Sequence, residues 1–84
     1  MIKELFLYTK KDCPLCIEMQ EELLALLPSK SVEYHVIDIG DDPELRHRYG
    51  ARIPVLVCGN QEICEVKLDI QALQSFLATV EHET

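Results

Sequence analysis

Linkers are what this chain most lacks. With three glycines and four prolines among 84 residues, it holds no glycine-, proline- or serine-rich tract, no internal repeat and no low-complexity stretch. Its length suits one domain, residues 1–84, and is too short for two. Basic residues are also few: 8 Lys and Arg stand against 15 Asp and Glu, a formal net charge of -7. That balance argues against nucleic-acid backbones and anionic membrane surfaces as partners. Long hydrophobic runs are missing as well. Nothing approaches the ~20 apolar residues of a membrane span, and the opening MIKELFLYTKKD, broken by Glu4 and Lys10, does not read as a secretory signal. These absences together describe a cytoplasmic protein. In a reducing compartment its four cysteines are thiols with a task, metal ligands or small core residues, rather than structural disulfides.

What is present is enough apolar material, 48% of residues, for a packed core. Residues 2–9, IKELFLYT, form a near-continuous run of β-formers that suits a strand covered on both faces. Over residues 14–27, Met19, Leu23, Leu26 and Leu27 recur at helical spacing, with Glu18, Glu21 and Glu22 opposite and Pro28 as the stop. Residues 32–38, VEYHVID, read as a second strand. Asp42, Pro43 and Glu44 read as a cap, a first-turn proline and an early acid, predicting a short helix over 43–49 ended by Gly50. PVLVCGNQEICEV predicts a hairpin turning at Gly59 and Asn60. A last helix, capped by Asp69, buries Ile70, Leu73, Phe76, Leu77 and Val80. The order βαβαββα implies a right-handed crossover between two parallel strands, then an antiparallel hairpin at the edge. The fold class is α/β: a four-stranded mixed sheet flanked by three helices.

The stretch Asp12-Cys13-Pro14-Leu15-Cys16 carries the chemistry. Proline is tolerated in a helix only in its first turn, where its missing N–H would have had no partner. If Pro14 is the first helical residue, Cys13 is the cap and Cys16 the third helical position. A side-chain acceptor at the cap meets the free amides of Leu15 and Cys16 at the positive end of the helix dipole. A Cys13 thiolate is stabilised by both, so its pKa should fall below that of free cysteine. Cys13 is then the exposed nucleophile, and Cys16 the shielded thiol that resolves a mixed disulfide. Lys10 and Lys11 add positive potential, opposed by Asp12. A Cys-x-x-Cys pair opening the helix of a βαβ unit is a specific redox signature, whereas the bare spacing is weak.

At these residues the sequence resembles the glutaredoxins, and within them the short glutaredoxin-like proteins. YTKKDCPLC is similar to the family's strand end, lysine and Cys-Pro-aromatic-Cys motif, and Arg52-Ile53-Pro54 falls where the family has its Thr-Val-Pro loop facing the cysteines. The resemblance spans nearly the whole chain and implies a thioredoxin-like fold and disulfide reduction. It also implies a cis bond before Pro54, which by default would be trans, leaving the Ile53 backbone open to an extended peptide or glutathione. Lys10 corresponds to the family's carboxylate-binding lysine; Pro14, Leu15, Arg52, Ile53 and Pro54 complete the implied substrate site. There are two departures. Leu15 replaces the usual aromatic. Cys64-Glu65 stands where the family has Gly-Gly, placing side chains and a negative charge where glutathione's backbone would approach.

Other residues carry less. Cys58 and Cys64 read as buried filler; a three-residue hairpin loop would set them on one face, a two- or four-residue loop on opposite faces. A zinc site drawing on all four cysteines would tie down the nucleophile's helix. Arg46, Arg48 and His47 read as a solvated face, with Arg52 beside the groove able to hold a carboxylate. Tyr8 packs under the active-site loop or in the core. His35, on a strand, and His82, in the tail, show no pattern suggesting chemistry. The leading expectation is a monomeric thiol–disulfide oxidoreductase acting on disulfide-containing proteins or small thiols. It would hold no tightly bound cofactor and no metal, and glutathione or a reductase would supply electrons. The alternatives are a metal or iron–sulfur cluster binding module, or a thioredoxin-fold adaptor without redox turnover.

Overall fold

The computed structural model of the chain describes residues 3–27, 32–59 and 61–82. Seven elements follow in order: β1 (Lys3–Thr9), α1 (Pro14–Leu26), β2 (Val32–Asp38), α2 (Pro43–Tyr49), β3 (Val55–Cys58), β4 (Gln61–Glu65) and α3 (Ile70–His82). The strands form one sheet in the order β2-β1-β3-β4. β1 runs parallel to β2, with Lys3 opposite Val32 and Thr9 opposite Asp38. It runs antiparallel to β3, which pairs antiparallel with β4. The expected βαβαββα order and mixed sheet are both present. Pro28 and Asn60 lie outside the described residues, as does the side chain of Val80.

Alternation along β1 divides the core in two. Leu5 and Leu7, with Leu56 of β3, face α1 and α3 and pack with Met19, Leu23, Leu73 and Phe76. On the other face Tyr8, Val55 and Val57 meet Ile39, Leu45 and Tyr49 around α2. Leu5, Leu7, Leu23 and Leu73 are fully buried, so truncating any of them to alanine should cost about 2–5 kcal/mol.

Two stripe assignments need correction. Leu26 is 43% exposed and Ile70 48% exposed. On α1 the buried residues are Cys16, Met19 and Leu23, spaced i, i+3, i+7; Leu26 continues that stripe, but it is the last residue of the helix and stays open to solvent there. Ile70 is the first residue of α3, before the helix has settled onto the sheet. Helical periodicity finds the middle of a stripe better than its ends.

The β3–β4 register steps between Leu56 and Val57: Leu56 pairs with Cys64 but Val57 with Glu62. One residue of β4 is therefore extra, a β-bulge that reverses the side-chain alternation. Cys58 pairs with Gln61 across the turn, and a two-residue turn alone would put Cys58 and Cys64 on opposite faces. The bulge brings both onto one face, where they pack against the α1/α3 core.

Caps follow the sequence closely. The Asp42 carboxylate accepts from the amides of Glu44 and Leu45 at 3.0 and 3.1 Å, and Asp69 accepts from the amide of Ala72 at 3.1 Å. Gly50 does end α2, but in right-handed conformation, φ -55 and ψ -32. Glycine is needed there because a Cβ would run into the backbone carbonyl of Arg46. Gly50→Ala, a change that normally favours helix, should therefore destabilise the protein, by about 1–3 kcal/mol. Urea denaturation would show it as a lower midpoint; an equal or higher midpoint would refute the steric account.

Candidate active site

Thr9 is the buried last residue of β1, and three residues separate it from the cysteine motif. Asp12 stands at φ 58, a left-handed conformation that aspartate tolerates better than most side chains. This kink lets the chain leave the strand and enter α1 with Pro14 as its first residue. Cys13 is then the N-cap, extended at φ -114 and ψ 100. Its Sγ accepts a hydrogen bond from the Cys16 amide at 3.2 Å, and its carbonyl accepts from Cys16 and Ile17. Of the two amides expected at the sulfur, the structure brings that of Cys16. The first turn of α1 contains no acid, so no side-chain charge within it opposes an anion at the cap.

Cys13 and Cys16 are joined as a disulfide, their Cα atoms 5.2 Å apart. They differ sharply in access. Cys16 is 1% exposed, whereas Cys13 is partly open, flanked by exposed Asp12 and Pro14. Leu15, 39% exposed, stands beside them on a groove of about 230 Å³ shared with Met19, Val66 and Leu68.

The Ile53–Pro54 bond is cis. Tyr8 pairs with Val55, which sets the loop before β3 at the sheet end where β1 runs into Cys13. The Pro54 carbonyl accepts from the amide of Val66 at 2.8 Å, and Val66 lines the groove with Leu15. The proline loop, the segment after β4 and the first turn of α1 thus meet at one end of the molecule. The amide and carbonyl of Ile53 pair with no other backbone group among the described residues.

Val66 is a residue the sequence did not single out. Its φ is 67, left-handed backbone that a β-branched side chain adopts only at a cost. The position where this segment would favour glycine is therefore Val66, next to the Cys64-Glu65 pair. No pattern in the sequence marks it, because valine argues for the opposite backbone.

Lys10 is exposed. With Arg46 and His47 it lines a cleft of about 560 Å³ floored by Ile39, Pro43, Gly50 and Ala51, a cationic site on an acidic protein. Arg52 is placed differently. Its guanidinium makes a two-pronged contact with Glu62, Nη1 to Oε2 at 2.8 Å and Nη2 to Oε1 at 3.0 Å. It also reaches Glu65 at 3.2 Å and the Arg48 carbonyl at 3.0 Å, and lies 5.6 Å from the ring centre of Tyr49, which stacks on Tyr8. The carboxylates it holds are the protein's own, so Arg52 ties the end of α2 to β4. Cys64, beside this clamp, has its thiol pKa raised by burial. Among the described residues, no cluster of three or more potential metal ligands includes a cysteine; the four cysteines do not converge.

With this geometry in view, the comparisons with known proteins are consistent. The model of the glutaredoxin-like domain (DUF836) matches residues 4–78, and the chain belongs to that family. Its fold is that of the thioredoxin-like proteins. The solution structure of protein Ne2328 from Nitrosomonas europaea is 31% identical, with TM-score 0.79 over 90% of this chain and 92% of that one. Protein XcR50 from X. campestris is 29% identical, with TM-score 0.68 over 89% and 96%. NrdH-redoxin from Escherichia coli, described as a glutaredoxin-like protein with a thioredoxin-like activity profile, is 18% identical, with TM-score 0.59 over 80% and 88%, and shows likeness of fold alone. No curated protein matches the chain. Among the described residues no helix is long and apolar enough to cross a membrane.

The Arg52 clamp has a consequence for acid stability. Hydrogen bonding to Arg52 lowers the Glu62 carboxyl below its ordinary range. A carboxylate so shifted contributes stability that is present above its unfolded pKa and lost as pH falls through the folded value. Because the pair is solvent-exposed, the contribution is small. Arg52→Gln should lower the urea midpoint at pH 7, with the gap from wild type closing toward pH 3. A gap that persists or widens in acid would contradict the assignment.

Proposed function

We propose that the protein is a dithiol–disulfide oxidoreductase. The observation that carries this reading is the cap: a half-buried Cys13 whose sulfur accepts from the amide of the buried Cys16, on the sheet end shared with the Ile53–Pro54 loop. In the reduced protein the Cys13 thiolate attacks one sulfur of a substrate disulfide. An S–S bond forms between Cys13 and that sulfur, and the other substrate sulfur leaves as a thiolate. Cys16 then loses its proton and attacks the Cys13 sulfur, closing the Cys13–Cys16 disulfide and releasing the second substrate thiolate. Two electrons pass from protein to substrate, and an external dithiol reductase or two equivalents of a small thiol restore the starting state.

The asymmetry in exposure supports this division of labour. The buried Cys16 is protected from solution oxidants and reacts when a mixed disulfide brings a leaving group next to it. Pro14 and Leu15 form the surface that meets the substrate, and the unpaired backbone of Ile53 before Pro54 offers it a strand edge. Lys10, in its cleft with Arg46 and His47, suits a carboxylate of a small thiol such as glutathione. Arg52 acts from behind, fixing the loop through Glu62 and Glu65.

The test is capture. A reduced Cys16→Ser variant mixed with a disulfide substrate should accumulate a mixed disulfide at Cys13, identified by mass spectrometry. Cys13→Ser should form none and should reduce insulin or a small disulfide no faster than buffer. Turnover by Cys13→Ser at near the wild-type rate would overturn the reading in favour of an adaptor with incidental cysteines.

A further inference from the structure

Glu4, Glu33 and His35 share one face of the β1–β2 pair. The parallel register sets Glu4 opposite Glu33 and Phe6 opposite His35, and alternation puts all four side chains on the side of the sheet that carries α2. The α2 core reaches Tyr8. The Glu4 end lies beyond it, and both glutamates are exposed. His35 Nε2 lies 3.4 Å from Glu4 Oε1 and 3.9 Å from Glu33 Oε2. One donor atom from each residue lies within 4.8 Å of the others.

Two features set this cluster apart from a solvated acidic patch. The His35 side chain is 40% exposed, but its Nε2 atom is shielded from solvent and has no hydrogen-bond partner, although it lies within ion-pair distance of a carboxylate oxygen of each glutamate. The ring is also held in place, stacked on Phe6 with centroids 5.1 Å apart and planes at 22°. A shielded imidazole nitrogen facing two carboxylates without a hydrogen bond makes a set of three donors that a cation would meet at once.

We propose that Glu4, Glu33 and His35 bind a divalent first-row metal ion of the zinc class. An ion with bonds of about 2.0–2.1 Å holds tetrahedral donors roughly 3.3–3.4 Å apart. The His35–Glu4 separation already matches, and Glu33 closes the rest by a small swing of an exposed side chain. One imidazole with two carboxylates favours zinc, nickel or copper over magnesium or calcium, which take oxygen sets. Three protein donors leave a fourth position for water or an exogenous ligand. The net charge of -7 favours cation capture generally. The pairing that creates the site is between residues 29 apart in sequence (33 minus 4), which is why His35 looked inert in the sequence.

The test titrates Zn²⁺ into protein with Cys13 and Cys16 oxidised, so that this pair offers no thiolate, and compares it with Glu4→Gln, Glu33→Gln and His35→Gln. Glu→Gln is isosteric and His35→Gln keeps a polar side chain of similar volume while removing the imidazole, and circular dichroism checks that each variant folds. Calorimetry should find one equivalent bound by the wild type, with affinity reduced roughly tenfold or more in each variant. The His35 ring nitrogens should shift in ¹⁵N–¹H spectra on zinc addition. Absence of binding, or binding that the three variants leave unchanged, would overturn the site; the latter would mean that Cys58 and Cys64 or scattered carboxylates hold the ion. The outcome is independent of disulfide reduction, so it fails or succeeds apart from the redox reading.

Discussion

The arrangement turns on one amide: the N–H of Cys16, which points at the sulfur of Cys13 from inside the first turn of α1. That contact exists because three local constraints agree. Proline at the first helical position fixes where the helix starts. The left-handed Asp12 turns the chain off β1, and the buried Cys16, Met19 and Leu23 seat the helix on the sheet. Shifting the start by one residue would remove the sulfur from the cap and bring Cys16 to the surface. Where the helix begins thus sets which sulfur stands at the cap, and the core that fixes the helix also decides which sulfur is shielded.

The rest of the fold places partners at that helix end. Parallel pairing of β1 and β2 with a crossover puts α1 on one face, and antiparallel β3 returns Pro54 to the end of β1 where Cys13 emerges. The Val66 amide then joins the proline loop to the segment before α3. Arg52 braces the same region from the α2 side through Glu62 and Glu65. Val66 accepts an unfavourable backbone conformation in this segment, consistent with strain gathering where loops are held close to a working surface.

Local signals made much of this legible from the sequence. Prolines 14 and 43, the caps Cys13, Asp42 and Asp69, and the strand at 32–38 are all properties of a few consecutive residues, and they stand where the sequence placed them. What was not legible depends on register. The bulge that puts Cys58 and Cys64 on one face, the embrace of Arg52 by Glu62 and Glu65, and the Glu4–Glu33–His35 cluster each require knowing which residue of one strand faces which of another. Ile70 and Leu26 failed for a related reason: periodicity gives a face, but packing decides how far along the helix that face is covered. Val66 ran against its own propensity, so no local rule could have found it.

The proposed function rests on the Cys13 sulfur, once the disulfide is reduced, being stabilised as a thiolate by the Cys16 amide that it caps. Its most direct test is the ultraviolet thiolate absorbance of the reduced protein followed against pH, with Cys13→Ser as the reference that isolates the Cys13 signal. The account predicts a Cys13 transition well below the free-cysteine value of about 8.5, with Cys16 ionising only at higher pH. A Cys13 transition at or above that value would contradict it.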